Sequence, residues 1–209
     1  MAAGGEGMLS IYNYDPDMTT ASLFTSYSCA NEVVALDWSY MTSPEAPELI
    51  LYGLQGGVLG LFNTRSSDSL NELTVNATSF ADVKFSPQMT GYCAATVGAT
   101  TPLTFWDMAT NKVVLEAAGL GTSTRVNCVE YLPNGAGAFC GCMDGRVRLF
   151  DARSGRIAAE EVISREAISG LRLVKSPLEE NSMLLFTAST DGVVREYDFR
   201  NMATISLNE

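Results

Sequence analysis

The sequence predicts an all-β chain assembled from repeated four-stranded antiparallel units. Three observations carry that prediction. Short apolar runs end in paired residues at Tyr14-Asp15, Phe62-Asn63, Trp106-Asp107, Phe150-Asp151 and Tyr197-Asp198, whose second members are 48, 44, 44 and 47 positions apart. Runs that alternate apolar and polar residues recur with the same period: Leu36-Asp37-Trp38-Ser39, Val83-Lys84-Phe85-Ser86, Val129-Glu130-Tyr131-Leu132 and Leu171-Arg172-Leu173-Val174. Such alternation marks a strand with one buried face. No stretch joins helix caps to a sustained helical period, although some helical character is expected over residues 156–161.

The elements follow in order. Residues 1–7 carry no strand pattern and are expected to be disordered. Residues 9–14 and 21–27 form two strands, expected as the third and fourth of a unit that lacks its first two. This remnant spans about 8–28, and four full units follow at about 31–76, 80–117, 125–163 and 167–207. Within a unit, Pro87 and Pro133 stop the first strand, because proline cannot donate to a strand ladder. Small residues precede the central hairpin at Ala94-Ala95-Thr96, Cys140-Gly141-Cys142 and Thr187-Ala188-Ser189, which suits strands pressed between neighbouring sheets. Asp144-Gly145 and Asp191-Gly192 then lie seven positions before Asp151 and Asp198. Asp-Gly between alternating runs signals a tight turn with both residues at positive φ. Gly56-Gly57 holds the same place before Asn63, whereas Thr100-Thr101-Pro102 requires a different hairpin before Asp107. Fourth strands are expected over 70–75, 112–116 and 156–163.

Composition removes several chemistries. The 209 residues include no histidine. That excludes Ser-His-Asp and Cys-His catalysis, imidazole bases, and histidine-containing zinc sites. The net charge is −11, and the acidity is concentrated in the first half, where residues 1–124 hold only Arg65, Lys84 and Lys112 as bases. No basic stripe is present to displace counterions, so no direct nucleic-acid partner is expected. The acidic surface points instead to other proteins or peptides with basic surfaces.

The five cysteines, Cys29, Cys93, Cys128, Cys140 and Cys142, are odd in number and follow no signal-peptide pattern. No apolar run is long enough to cross a bilayer as a helix, so no membrane insertion is expected. A reducing compartment, cytoplasm or nucleus, follows from this reading. Cys140 and Cys142 share a strand face but have no further ligands, so buried thiols are expected rather than a metal site. The Asn76-Ala77-Thr78 sequon is read as fortuitous in such a compartment. Glycine-rich stretches at 53–57 and 119–121 precede strands rather than helices, which does not make a phosphate loop. The carboxylates Asp37, Glu130, Glu160-Glu161 and Glu179-Glu180 are too scattered for a paired acid–base site. No enzyme and no cofactor are expected.

Four strands per period, closing on an aromatic–acid pair, resemble the WD-repeat β-propeller family. The resemblance runs from about residue 8 to 201. Only Trp106-Asp107 is a literal Trp-Asp. The family's Gly-His is absent, and in the family that histidine contacts the hairpin aspartate. Asp144 and Asp191 therefore lack that partner and are expected to cap turn amides.

The resemblance implies a non-enzymatic scaffold or adaptor, within a larger complex. It places Asn31, Ser79, Arg125 and Glu166 on the face where loops enter first strands. It also implies a narrower alternative. Asp151-Ala152-Arg153 and Asp198-Phe199-Arg200 look like the box ending Trp-Asp-x-Arg in substrate receptors of cullin-RING ubiquitin ligases. Arg153 and Arg200 would then dock the ligase adaptor, with Asp151 and Asp198 positioning them. A third class is a structural subunit of a coat, nuclear-pore, axonemal or ribonucleoprotein assembly. Propellers of this family usually close at about seven blades, so four full units and a remnant leave three readings open: part of a longer propeller, a small closed ring, or a ring completed by a partner chain.

Overall fold

A computed structural model describes residues 1–39, 48–75, 79–87, 93–98, 103–117, 124–176 and 182–198, with the side chains of 93–95 left aside. Eighteen strands form among them, in five antiparallel sheets. The first sheet holds β1 (Ala2–Gly5), β2 (Met8–Asp15) and β3 (Thr20–Ser28). The second holds β4 (Val33–Trp38), β5 (Leu49–Leu54), β6 (Val58–Asn63) and β7 (Asp68–Thr74). The third holds β8 (Phe80–Phe85), β9 (Cys93–Gly98), β10 (Thr104–Asp107) and β11 (Lys112–Glu116). The fourth holds β12 (Val126–Tyr131), β13 (Gly137–Cys142), β14 (Arg146–Asp151) and β15 (Ile157–Val162). The fifth holds β16 (Ile168–Lys175), β17 (Met183–Ser189) and β18 (Val194–Asp198).

Every sheet is a simple meander in which sequence neighbours pair. The same irregularities recur in each unit. The first pair of strands slips at Val33/Ala35, Phe80/Asp82, Val126/Cys128 and Ile168/Gly170. The last pair slips just before the aromatic of the closing pair, at Leu61/Phe62, Phe105/Trp106 and Leu149/Phe150. A bulge adds local twist, and its repetition gives successive sheets the same coil.

Both faces of β5 and β13 are buried, and their residues sort by parity. On β5, Ile50, Tyr52 and Leu54 pack with Leu9, Ile11 and Val33 toward the first sheet. Leu49 and Leu51 pack the other way, with Phe80, Val83, Phe85 and Trp106 of the third sheet. On β13, Ala138, Cys140 and Cys142 pack toward Val97, Phe105 and Val129. Phe139 packs with Ile168 and Leu185 of the fifth sheet. Four cores thus join five sheets face to face along the chain. Among the described residues, no core joins the fifth sheet to the first.

Two expectations are corrected. Ala2–Gly5 is not disordered: it pairs along β2, so the first sheet holds three strands among the described residues. Its composition carries no strand signal because the constraint is tertiary. A Cβ on Gly4 would stand 2.4 Å from Val33 Cγ1, so only a bare backbone fits against β4. Residues 157–162 are extended rather than helical. Ile157, Ala159 and Glu161 are half-buried while Ala158, Glu160 and Val162 are exposed, which is a strand period.

Candidate functional site

Four of the five closing Asx positions share one geometry. Asp15 accepts the backbone N–H groups of Asp17 and Met18 at 3.0 and 3.2 Å. Asn63 does the same for Arg65 and Ser66 at 2.9 and 3.4 Å. Asp107 holds Ala109 and Thr110 at 2.9 and 3.2 Å, and Asp151 holds Arg153 and Ser154 at 2.7 and 3.1 Å. The residue type is fixed by this turn, since only a short side chain reaches its own amides two and three positions on. The Thr110 side chain, and then these amides, hold the Asp107 carboxyl below the usual carboxylate range, and the Arg153 and Ser154 amides do so for Asp151. Asp198 takes the Ser182 hydroxyl at 3.5 Å. Phe199 and Arg200 lie outside the described residues.

On the opposite end of the sheets, the hairpin acids are locked by arginine. Arg148 meets Asp144 with two bonds, Nη1–Oδ1 at 3.0 Å and Nη2–Oδ2 at 2.7 Å, and meets Glu160 through Nε at 3.1 Å. Arg195 holds Asp191 the same way, with Nη2–Oδ2 at 2.8 Å. The Ser189 hydroxyl also donates to Asp191, and the Ser164 hydroxyl donates at 2.9 Å. Burial pushes the Asp144 carboxyl up, but the Arg148 bonds outweigh it and leave the group below its usual range. Asp191 is lowered first by Arg195 and then by Ser189. The hairpin acids do cap turn amides, at Arg146 and Val193. They also have the cationic partner that the absence of histidine seemed to deny them. The signal was present as an Asp-Gly-x-x-Arg spacing in both units, residues 144–148 and 191–195.

The turns differ from expectation in one respect. Only Gly145 and Gly192, not their aspartates, take positive φ, at 75° and 80°. The turn closes from Gly145 N–H to Cys142 C=O at 3.2 Å, so it is one residue longer than a two-residue hairpin. Gly145 is required twice over, since a Cβ there would meet the Ser164 carbonyl oxygen at 2.0 Å.

A third arrangement ties the units together along their inner strands. Asp37 on β4 accepts the Phe85 N–H of β8 at 2.8 Å. Asp82 on β8 accepts the Val129 N–H of β12 at 3.0 Å. Glu130 on β12 accepts the Leu173 N–H of β16 at 3.2 Å. Each carboxylate therefore holds the inner strand of the following sheet. Cations interleave: Lys84 lies 3.7 Å from Asp37 and 4.0 Å from Asp82, and Arg172 lies 3.4 Å from Glu130. Burial pushes the Asp37, Asp82 and Glu130 carboxyls up. Burial would lower Lys84, but Asp82, Asp37 and Glu130 more than offset it and leave the ammonium above its ordinary value. Asp82 is invisible to strand patterning because its partner is an amide 47 positions away.

The expected partner-binding residues divide between two faces. Asn31, Arg125 and Glu166 are exposed in the loops that enter inner strands, beside the hairpin turns. Backbone bonds fix that adjacency, from Gln55 to Glu32 at 2.8 Å and from Met143 to Arg125 at 2.9 Å. Ser79 lies in the same class of loop and is half-buried. Asp151, Arg153 and Asp198 lie at the other face. Arg153 is 91% exposed, and its guanidinium is 3.7 Å from Asp151. The cysteines are core groups: Cys128, Cys140 and Cys142 are buried, and burial pushes the Cys128 thiol up to about 12. Among the described residues, no His, Cys, Asp and Glu cluster could hold a metal ion.

The family model described as WD domain, G-beta repeat matches residues 115–151. The match starts at the end of β11, crosses β12, β13 and β14, and stops at the Asx turn of Asp151. The fold neighbour agrees: the β-propeller domain of Cps50 (Swd1) from Myceliophteria thermophila aligns with a TM-score of 0.69 at 17% identity, covering 92% of this chain and 62% of that one. The chain has a β-propeller fold and carries a WD repeat over residues 115–151. Its five sheets are propeller blades. Three curated relatives are similar to the chain, one of them under a WD-repeat name. The WD repeat-containing protein 91 homolog of Dictyostelium discoideum is 22% identical over 85% of this chain and 22% of its own length. Periodic tryptophan protein 2 of Arabidopsis thaliana is 26% identical over 73% of this chain and 16% of its own length. The Caenorhabditis elegans homolog of that protein is 30% identical over 52% of this chain and 11% of its own length. The chain thus spans about a fifth or less of these curated relatives. WD-repeat propellers are in general protein-interaction scaffolds rather than catalysts.

Proposed function

We propose that this chain is a non-enzymatic interaction subunit of a larger cytoplasmic or nuclear complex, binding protein partners through the loops that carry Asn31, Arg125 and Glu166. One observation carries the reading. The hairpin acids beside those loops are clamped by Arg148 and Arg195, so exposed side chains stand on a preorganised rim. A rigid frame lowers the ordering cost of recognition. The acidic balance of the chain favours basic partner surfaces, and Cys29, Cys128, Cys140 and Cys142 are free thiols, as a reducing compartment requires.

The ring is completed by further blades, from a partner chain or from more of the same polypeptide. The first and fifth sheets each hold three described strands and share no core. An unpacked blade flank is a surface that seeks a partner. Affinity capture with the chain and with its Asn31→Ala/Arg125→Glu/Glu166→Lys variant tests the rim. Loss of the same bound proteins from the variant supports it, and retention of all of them overturns it. Light scattering tests completion, and a stable soluble monomer contradicts it.

The exposed Arg153 favours a second reading, adaptor docking in a cullin-RING ligase. It borders an open cleft of about 420 Å³ between the Asp151 turn and Gly135-Ala136. A pull-down with purified adaptor decides: equal capture by Arg153→Ala and unaltered protein rejects this reading.

A further inference from the structure

The face opposite the Asn31–Arg125 rim carries a second cleft, at the ends of the inner strands of the third, fourth and fifth blades. It has a volume of about 390 Å³ and is lined by Pro87, Pro133 and Met183, with Glu130, Arg172 and Lys175 as its charged groups among the described residues. Its charge runs against that of the whole chain. Arg172 is 61% exposed and has one ion pair, to Glu130, while no carboxylate among the described residues pairs with Lys175. A guanidinium has five donors, so the Glu130 contact leaves several free. Glu130 is 5% exposed at its side chain, and its Oε2 is buried without a hydrogen-bond partner among the described residues. A buried carboxylate oxygen without a donor is uncommon and calls for one.

We propose that this cleft binds an acidic peptide segment of a partner protein, with an apolar side chain next to its carboxylate. The carboxylate bridges Arg172 and Lys175. The apolar side chain lies against Pro87, Pro133 and Met183. Glu130 holds the Arg172 guanidinium at the floor of the cleft, 3.4 Å away. Two cations in an apolar cleft match a carboxylate on a short peptide better than a phosphate backbone, which needs an extended basic track. The cleft adds a second partner, of opposite charge, to the one proposed for the rim.

The test uses fluorescence anisotropy with two labelled peptides of about ten residues in a Gly-Ser background, one containing two Glu-Leu steps and the other two Lys-Leu steps. The glutamate peptide binds the unaltered chain at least about tenfold tighter than the lysine peptide, and its affinity falls as salt rises. Arg172→Glu/Lys175→Glu loses that binding. Because Arg172 also pairs with Glu130, Lys175→Glu alone serves as the variant with no folding role, and it weakens binding several-fold. The Met183 methyl resonance shifts on titration. Asn31→Ala/Arg125→Glu on the other face leaves the peptide affinity unchanged, which separates this site from the rim. Equal affinity for the two peptides, no binding of either, unaltered binding by the double variant, or loss on the rim variant overturns the proposal. So does tighter binding of a single-stranded oligonucleotide at the same variants.

Discussion

Asp144 and Arg148 stand four positions apart on one hairpin and meet through two parallel bonds, of 3.0 and 2.7 Å. Arg148 is buried while Asp144 is a third exposed. Arg148→Ala removes the fork and leaves Asp144 and Glu160 facing each other without a cation. The expected loss is about 2 kcal/mol, within the range for a partly buried charged bond. Arg148→Lys restores charge but not the fork, and recovers about half. Urea unfolding of the three proteins reads both numbers.

The repeat was legible in residues whose roles are local. Asp107 and Asp151 are dictated by their own turns, and the alternation of Val83, Lys84 and Phe85 by one buried face, so spacing and period suffice to find them. What stayed hidden depends on distant partners. Ala2–Gly5 is a strand because of Val33 and Leu36. Asp82 matters because of the Val129 amide. Arg148 and Arg195 were visible as a spacing, but the lack of histidine drew attention to a missing partner rather than to its replacement. Of the expected contact residues, Asn31 and Arg125 share a face, and Arg153 stands on the other.

Stability should respond to pH in two opposed ways. Asp144 and Asp191 are lowered in the folded chain, so their stabilisation is present above the ordinary value of 3.8 and is lost as the solution becomes more acidic. Asp37 is raised, so its favourable contribution is present below 3.8 and is lost as pH rises toward the folded value. Asp37→Asn abolishes that loss. The variant should gain stability relative to the unaltered chain between about pH 4 and about pH 7. Chemical unfolding across that interval checks the sign, and a relative loss contradicts it.

Trp106 donates its indole N–H to Thr96 Oγ1 at 2.9 Å, with both side chains buried. Trp106→Phe leaves the hydroxyl without its donor and creates a small void. The expected cost is about 2–3 kcal/mol. In a double-mutant cycle with Thr96→Val, part of that cost should be recovered, giving a coupling of about 1 kcal/mol.

Arg153→Ala should leave stability within about 0.5 kcal/mol, because the side chain is 91% exposed and its ion pair is long. Asp151→Ala should lower the melting temperature by releasing two turn amides. Thermal melts of both separate a binding role for Arg153 from the structural role of Asp151.

From the second blade to the fifth, each is fastened to the next by an inner-strand carboxylate that holds a backbone amide. Residue-resolved hydrogen exchange tests it most directly. The amides of Phe85, Val129 and Leu173, held by Asp37, Asp82 and Glu130, should exchange slowly in the unaltered chain. Asp82→Ala should speed exchange at Val129 by about tenfold or more, while Phe85 remains protected. Unchanged protection of Val129 in that variant, or rapid exchange of all three amides in the unaltered chain, would contradict the account.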